Sequence, residues 1–247
     1  MPLEPYPQAG FELLDDRLPI LRFMKMKTFE RLVESGNLYF CRADLFEDDH
    51  EGLPLEDYVR HVVAAMGPGH SFEETWHNLK DERQGSFISC WTLDESLHMW
   101  EKFAPQGVAL RSRCGLLKTA LDAMPARTIV GHVRYSLKHE GFNILRFITT
   151  KRPEFACERE VRALVWEMEH SGRNPYPHVA PHGLPYRVDL QALVEMVIVS
   201  PSAPAAVFDE VQQRLSNFGY ANIPLVKSGF TGYSHLLPNS DEIARFS

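Results

Sequence analysis

Cys157-Glu158-Arg159-Glu160-Val161-Arg162-Ala163-Leu164-Val165-Trp166 sets two carboxylates one residue apart at the mouth of an apolar run with strand character. On an extended backbone, side chains at i and i+2 leave the same side. Glu158 and Glu160 are therefore predicted to reach one ligand together. The plainer reading is an edge strand of alternating charge, with Glu158 and Glu160 outward and Arg159 and Val161 inward, since strand ends carry such charges often. The choice between the two depends on what lies upstream.

Residues 141–150 are predicted helical. They lead into Lys151-Arg152-Pro153-Glu154-Phe155-Ala156, a loop that delivers the glutamate pair and in which Lys151, Arg152 and Phe155 are the candidates for choosing a substrate. Further upstream, the run from Ser86 to Phe103 reads as a strand ending in small hydroxyl residues. Asp94 or Ser96 then caps a helix whose Leu97, Trp100 and Phe103 face inward. The ordinary role for Trp91 and Trp100 is core packing. The functional alternative is that Ser89 and Thr92 hold a ligand's ribose or support a catalytic glutamate, with an aromatic as one pocket wall.

The chain opens with a strand over 18–24. Thr28 is the predicted N-cap of a helix over 29–34, with Phe29, Leu32 and Val33 as its apolar stripe and Gly36 as its stop, and a second strand covers 37–42. The acidic run Asp44-Leu45-Phe46-Glu47-Asp48-Asp49-His50-Glu51-Gly52 follows. It reads as a solvated loop; a calcium or magnesium role is the alternative, although the run lacks the regular alternation of an EF-hand loop. Helices are expected over 55–66 and over 71–83, the second capped by Ser71 with Glu73 and Glu74 in its first turn. A strand over 106–112 is followed by a helix over 114–124 and by a strand over 129–135 expected to pair with it. Residues 170–185 are rich in Pro, Gly and His. His178 and His182 are four apart, but Pro177 and Pro181 argue against a helical two-His metal face. Strands over 186–190, 195–199 and 223–227 and a helix over 203–218 read as scaffold.

The composition narrows the classes. With 44% hydrophobic and 24% charged residues over 247 positions, the chain is an ordinary globular protein, long enough for a sizeable core. Its net charge of -7, from 26 basic and 33 acidic residues, argues against a broad nonspecific grip on nucleic acid but not against a local basic cleft. Cys41, Cys90, Cys114 and Cys157 form no CxxC pair, so neither a zinc clip nor a disulfide framework is expected and a reducing cytoplasm fits. Residues 1–10 lack the apolar segment of a signal peptide, and no apolar run is long enough for a bilayer span. The organisation expected is an N-terminal extension over 1–17 and a single α+β domain over 18–247.

Two resemblances attach to these motifs. From about residue 18 to 235 the chain resembles a bacterial family catalogued only as a domain of unknown function. The shared motifs are Leu38-Tyr39-Phe40 before the acidic run, Ser89-Cys90-Trp91 before Met99-Trp100, and Lys151 before Glu158-Arg159-Glu160-Val161-Arg162. No activity comes with that likeness. In motif order the chain is also similar to ADP-ribosyltransferases, with Arg22 before the first helix and Gly36, Ser89 to Thr92 before the Met99 helix, and Glu158/Glu160 after the 152–156 loop. Cys90-Trp91 interrupts the usual Ser-Thr-Ser, and the acidic run has no counterpart in that family.

The ADP-ribosyltransferase likeness implies an α+β fold with a split cleft between antiparallel or mixed sheets and flanking helices. It implies NAD as cofactor and a macromolecular acceptor, protein or nucleic acid. A toxin or phage-defence setting, with an antitoxin or regulatory partner and no membrane, also comes from the likeness. Glu160 would face the nicotinamide ribose as it becomes an oxocarbenium ion, and Glu158 would orient or deprotonate the acceptor. Arg22 would bind the phosphate or the adenosine ribose, Ser89 and Thr92 would position Glu160 or the nicotinamide ribose, and Trp91 or Tyr39 would stack on nicotinamide. On this reading Arg22, Ser89 and Glu160 line a single cleft. The other readings are a metal-dependent nuclease or phosphodiesterase using Asp48, Asp49, Glu158, Glu160 and Lys151 around magnesium, and a noncatalytic nucleotide-binding module.

Overall fold

In the computed structural model, which describes residues 14–48, 50–124, 127–138, 141–166 and 182–230, the opening unit is β1 (Pro19–Met24), α1 (Met26–Ser35) and β2 (Asn37–Arg42). Phe29, Leu32 and Val33 recur at helical spacing and are the buried residues of α1. Gly36, at φ 64°, closes the helix by donating its N–H to the Leu32 carbonyl. The start differs from expectation. Lys25 takes the cap position without a side-chain bond, and Thr28 already lies in the first turn. An aliphatic face that packs well starts the helix before the hydroxyl residue that would have capped it.

Next come α2 (Glu56–Met66), α3 (Phe72–Glu82), β3 (Ser86–Thr92), α4 (Leu97–Phe103), β4 (Val108–Arg113) and α5 (Cys114–Leu121). Ser71 and Ser96 cap α3 and α4, accepting the N–H of Glu74 and of Met99. The chain continues with β5 (Arg127–His132), β6 (Arg134–Tyr135), α6 (Ile144–Ile148), β7 (Thr150–Lys151) and β8 (Glu160–Trp166). It closes with β9 (Gly183–Arg187), α7 (Leu190–Leu193), β10 (Met196–Val199), α8 (Ala205–Asn217) and β11 (Leu225–Lys227). Asn143 caps α6, which makes that helix shorter than the 141–150 expected.

Among the described residues, the strands form a nine-stranded sheet and a separate β6-β7 pair. β3 is its junction. β8 runs along one edge of β3 over the full register from Ser86↔Trp166 to Thr92↔Glu160. The other edge is shared: β2 pairs with its start, through Cys41↔Ile88 and Arg42↔Phe87, and β1 with its last residue, through Leu21↔Thr92. The sheet therefore forks. One branch runs β1, β4, β10, β11 and the other β2, β9. Pairing is antiparallel except in β10-β11 and β6-β7.

Two expectations change here. β8 is an interior strand between β3 and β5, buried along all but its last residue, and not an edge strand. β5 pairs with β8 and not with β4, because both edges of β4 are already taken by β1 and β10.

Helices cover both faces, as an α+β arrangement with flanking helices requires. On one face Ile20, Leu38, Phe87, Trp91, Val161 and Val165 pack against Phe29 and Leu32 of α1, Leu117 of α5 and Val211 of α8. On the other, Ile88, Ile129 and Leu164 meet Val59 of α2, Leu79 of α3 and Phe147 of α6, while Leu21 and Ala109 meet Trp100 of α4. Each fully buried large side chain contributes roughly 1.5–3 kcal/mol, which sets the face each strand presents and hence its register. Leu14 joins the first core, and Lys118 of α5 donates to its carbonyl. Among the described residues no helix is long and apolar enough to cross a membrane. His178 and Asp49 lie outside the described residues, and His182 accepts the Arg42 N–H through its carbonyl.

Candidate active site

The segment before β8 is not the extended strand that i, i+2 spacing implies. Pro153–Glu158 is a 3-10 turn, Arg159 is left-handed at φ 40°, and the strand begins only at Glu160. Glu158 and Glu160 nevertheless converge, for a different reason. The Thr92 hydroxyl donates to the Glu158 carbonyl at 2.6 Å, the Leu93 N–H donates to the Arg159 carbonyl, and the Glu160 N–H donates to the Tyr135 hydroxyl at 2.7 Å. Those bonds fold the turn back so that Lys151 Nζ sits 2.7 Å from Glu158 Oε2 and 2.9 Å from Glu160 Oε2. A shared ammonium, and not strand alternation, brings the pair together.

The charges extend beyond that pair. Glu160 also accepts from Arg162 Nε at 2.7 Å, Arg162 bonds Glu51 at 2.6 Å and the Ile148 carbonyl, and Lys102 of α4 bonds Glu158 at 2.8 Å. Glu51, Glu158, Glu160 and Arg162 are all buried, whereas the Lys102 side chain is 37% exposed. His98 stands 4.0 Å from Glu158 at the same rim. Burial by itself would raise the Glu160 carboxyl. The charges of Arg162 and Lys151, with the Arg162 hydrogen bond, outweigh it and hold the group at about 2, so it is ionised at neutral pH. Burial would lower the Lys151 ammonium, and the surrounding glutamates reverse that and raise it above its ordinary value. Phe155 lies under three cations, with Lys102, Lys151 and Arg152 each 5.2–5.4 Å from its ring centre. Arg152 pairs with Asp48 and Glu154 at 3.1 Å.

A second site occupies the fork. Arg22 of β1 donates to Ser89 Oγ on β3 at 2.5 Å and to the Tyr39 carbonyl on β2 at 2.8 Å, bridging the three strands where β1 and β2 diverge. The guanidinium is partly buried, and burial lowers it to about 10, still charged at neutral pH. Among the described residues no carboxylate pairs with it. Its neighbours include Cys90 and Cys41.

These positions revise several expected roles. Ser89 is fully buried and accepts from both Arg22 and the Trp91 indole N–H, so it holds the arginine and not Glu160 or a ribose. Trp91 is 2% exposed in the main core, so its ring is not available to stack on a ligand, whereas Tyr39 is 40% exposed. Thr92 holds the glutamate turn through the Glu158 carbonyl.

The single cleft lined by Arg22, Ser89 and Glu160 is also revised. Register places Arg22, Ser89 and Trp91 on one face of the sheet and Cys90, Thr92, Glu160 and Arg162 on the other. Cys90 lies between the two sites: it is partly buried on β3, on the face that carries Glu160, with Arg22 on the neighbouring strand β1.

Of the magnesium arrangement, Glu158 and Glu160 are paired with Lys151 and Arg162 and Asp48 with Arg152, while Asp49 lies outside the described residues. Among the described residues no group of His, Cys, Asp or Glu is arranged to hold a metal ion. Sequence reasoning gave no role to Arg162, Lys102 or Tyr135, and weighed Glu51 only as part of the acidic run. Arg162 was within reach, because alternation from Glu160 puts it on the same face. The other three come from distant segments and carry no local signal.

No protein-family model matches the chain, and no curated protein matches it. Among solved structures it is similar to Thermus sp. 2.9 DarT in complex with ADP-ribosylated ssDNA, with TM-score 0.41 and 13% identity over 91% of this chain and 100% of that one. The same Thermus protein in complex with NAD+ is similar with TM-score 0.39 and 14% identity, over 87% of this chain and 96% of that one.

Proposed function

We propose that the chain is an NAD-dependent ADP-ribosyltransferase acting on a macromolecular acceptor. The observation that carries this reading is Arg22. A partly buried guanidinium held by two neutral oxygens, with no carboxylate partner among the described residues, lacks the counter-charge that such burial ordinarily demands. The pyrophosphate of a dinucleotide supplies it, and a guanidinium fork suits phosphate geometry. β1 and β8 flank β3, so their backbones are two strand spacings apart, roughly 10 Å. A dinucleotide passing through the fork beside Cys90 would span that distance and bring its nicotinamide ribose to Glu160.

There the glycosidic bond from C1′ to the nicotinamide nitrogen breaks, and its electron pair leaves with nicotinamide. The ionised Glu160 stabilises the positive charge that develops on the ribose. A nucleophile of the acceptor forms the new bond to C1′, and its proton passes to Glu158 or to water. Tyr39, the exposed aromatic at the fork, is the stacking candidate. Lys151 orients both carboxylates, and Arg152 and Phe155 border the acceptor side. We place the protein in a reducing cytoplasm, in keeping with its free cysteines, as a toxin or phage-defence effector with an antitoxin or regulatory partner.

The test is incubation of labelled NAD with the protein and cell extract, comparing wild type, Glu160→Gln and Arg22→Gln, each checked for a cooperative thermal transition. Nicotinamide release and label transfer present in wild type and lost in a folded Glu160→Gln support the reading. Equal signals from wild type and Glu160→Gln remove Glu160 from the mechanism. The pairing of both glutamates with Lys151 favours one second reading, a binding module whose carboxylates only hold the fold. NAD bound by calorimetry with no nicotinamide released is its signature.

A further inference from the structure

The acidic run after β2 has no role in the reaction as written, yet one of its residues reaches the centre of the charge network. Glu51 is 4% exposed. Its backbone is fixed on both sides, the N–H by the Asp48 carbonyl and the C=O by Arg83 at 2.9 Å. Gly52 follows at φ 73°, and a Cβ there would stand 3.2 Å from Ile148 Cγ1, so the turn that aims Glu51 inward has little freedom. The carboxylate bonds Arg162 at 2.6 Å and stands 3.6 Å from Lys151, the same two cations that hold Glu160.

Glu51, Glu158 and Glu160 supply three negative charges, and Lys151, Arg162 and Lys102 supply three positive ones, so the bonded cluster is balanced. Lys102 is the one of these cations at the rim, its side chain 37% exposed, while Lys151 and Arg162 lie inside. Take Glu51 out and three cations face two carboxylates, an excess of one positive charge beside a ribose turning positive.

We infer that Glu51 is a positioning residue of the proposed transferase: it holds Arg162 and draws on Lys151, and so keeps the surroundings of Glu160 from turning net positive against the cationic transition state. It touches no substrate and acts through those two cations. The inference rests on the transferase reading for its consequence in turnover, but the charge it assigns to the site does not.

The test compares Glu51→Gln, which keeps shape and removes charge, with Glu51→Asp, which keeps charge and shortens the side chain. For NAD turnover, Glu51→Gln is expected to lower kcat about 10- to 100-fold with KM changed less than about threefold, and Glu51→Asp to retain most of kcat. Turnover by Glu51→Gln equal to wild type overturns the inference. So does the reverse ranking, with Gln above Asp, or a Gln variant that fails to fold, since Glu51 then serves shape or scaffold. If wild type releases no nicotinamide, the transferase reading fails by itself and binding decides the matter for Glu51. Wild type should then bind the 1-methylnicotinamide cation more tightly than neutral nicotinamide, and Glu51→Gln should lose that preference. A preference absent from wild type, or kept in Glu51→Gln, overturns the assignment.

Discussion

Arg22 and Glu160 stand two strands apart, on β1 and β8 either side of β3, and their side chains leave opposite faces of the sheet. Cys90 lies between them, on β3 and on the face of the sheet that carries Glu160. A ligand that uses both must cross the sheet, and the fork between β1 and β2 is where the ladder is interrupted. On the proposed reading that geometry would separate binding from chemistry, so substitutions at the two ends should have separable effects.

Arg22→Lys retains the charge but not the planar fork that bonds Ser89 and the Tyr39 carbonyl together. NAD affinity measured by calorimetry should fall by about ten- to a hundredfold, and stability by about 1–2 kcal/mol from the lost bonds. Unchanged affinity with lowered stability would mean that Arg22 is only a clip across the fork.

Arg162→Met removes the cation between Glu51 and Glu160 and leaves two buried carboxylates short of a partner. Urea unfolding should show a loss of about 3–5 kcal/mol. Lys102→Ala, at the exposed end of the same network, should lose less than about 1 kcal/mol. Similar losses for both would contradict the gradient of burial across the network.

Acid should weaken the fold through Glu160. Its carboxyl is held at about 2 against an ordinary 4.5, so ionisation stabilises the folded state fully above about pH 4.5. That contribution falls away as pH drops from there toward about 2. In pH-resolved unfolding, wild type should lose stability across this window and Glu160→Gln should have a flatter profile; parallel profiles would assign the acid limb to other carboxylates.

Thiol alkylation offers a check on the fold that is independent of function. Cys157, exposed on the turn before β8, should be modified first. Burial raises the Cys114 thiol to about 11 and pushes Cys90 well above its ordinary value, so both should react slowly until the protein unfolds. Mass spectrometry of native protein after brief iodoacetamide treatment orders them, and early labelling of Cys114 would be inconsistent with the packing of α5.

What could be read in the chain was mainly local. Ser71 announced its helix, and Ser96 did so as one of two candidates with Asp94, because an N-cap bond spans only a few residues, and Gly36 marked the end of α1 because it tolerates φ 64°. Thr28 misled, since packing of Phe29, Leu32 and Val33 outweighs a cap preference worth about 1 kcal/mol. The partner of β5 was not legible either. Strand alternation tells which residues share a face but not which neighbour has a free edge, and β4 had none.

By itself, the order of residues determined the elements, their amphipathic faces and the glutamate pair as a place of unusual charge, because each of those follows from spacing along the backbone. Only tertiary structure decided that Lys151 gathers Glu158 and Glu160, that Glu51 and Arg162 complete the network across 111 positions of sequence, and that Arg22 opens on the other face. Charge acts through space and is strongest where water is excluded. The partners of a buried ion are thus chosen by the packing that buries it, and no local pattern in the chain records that choice.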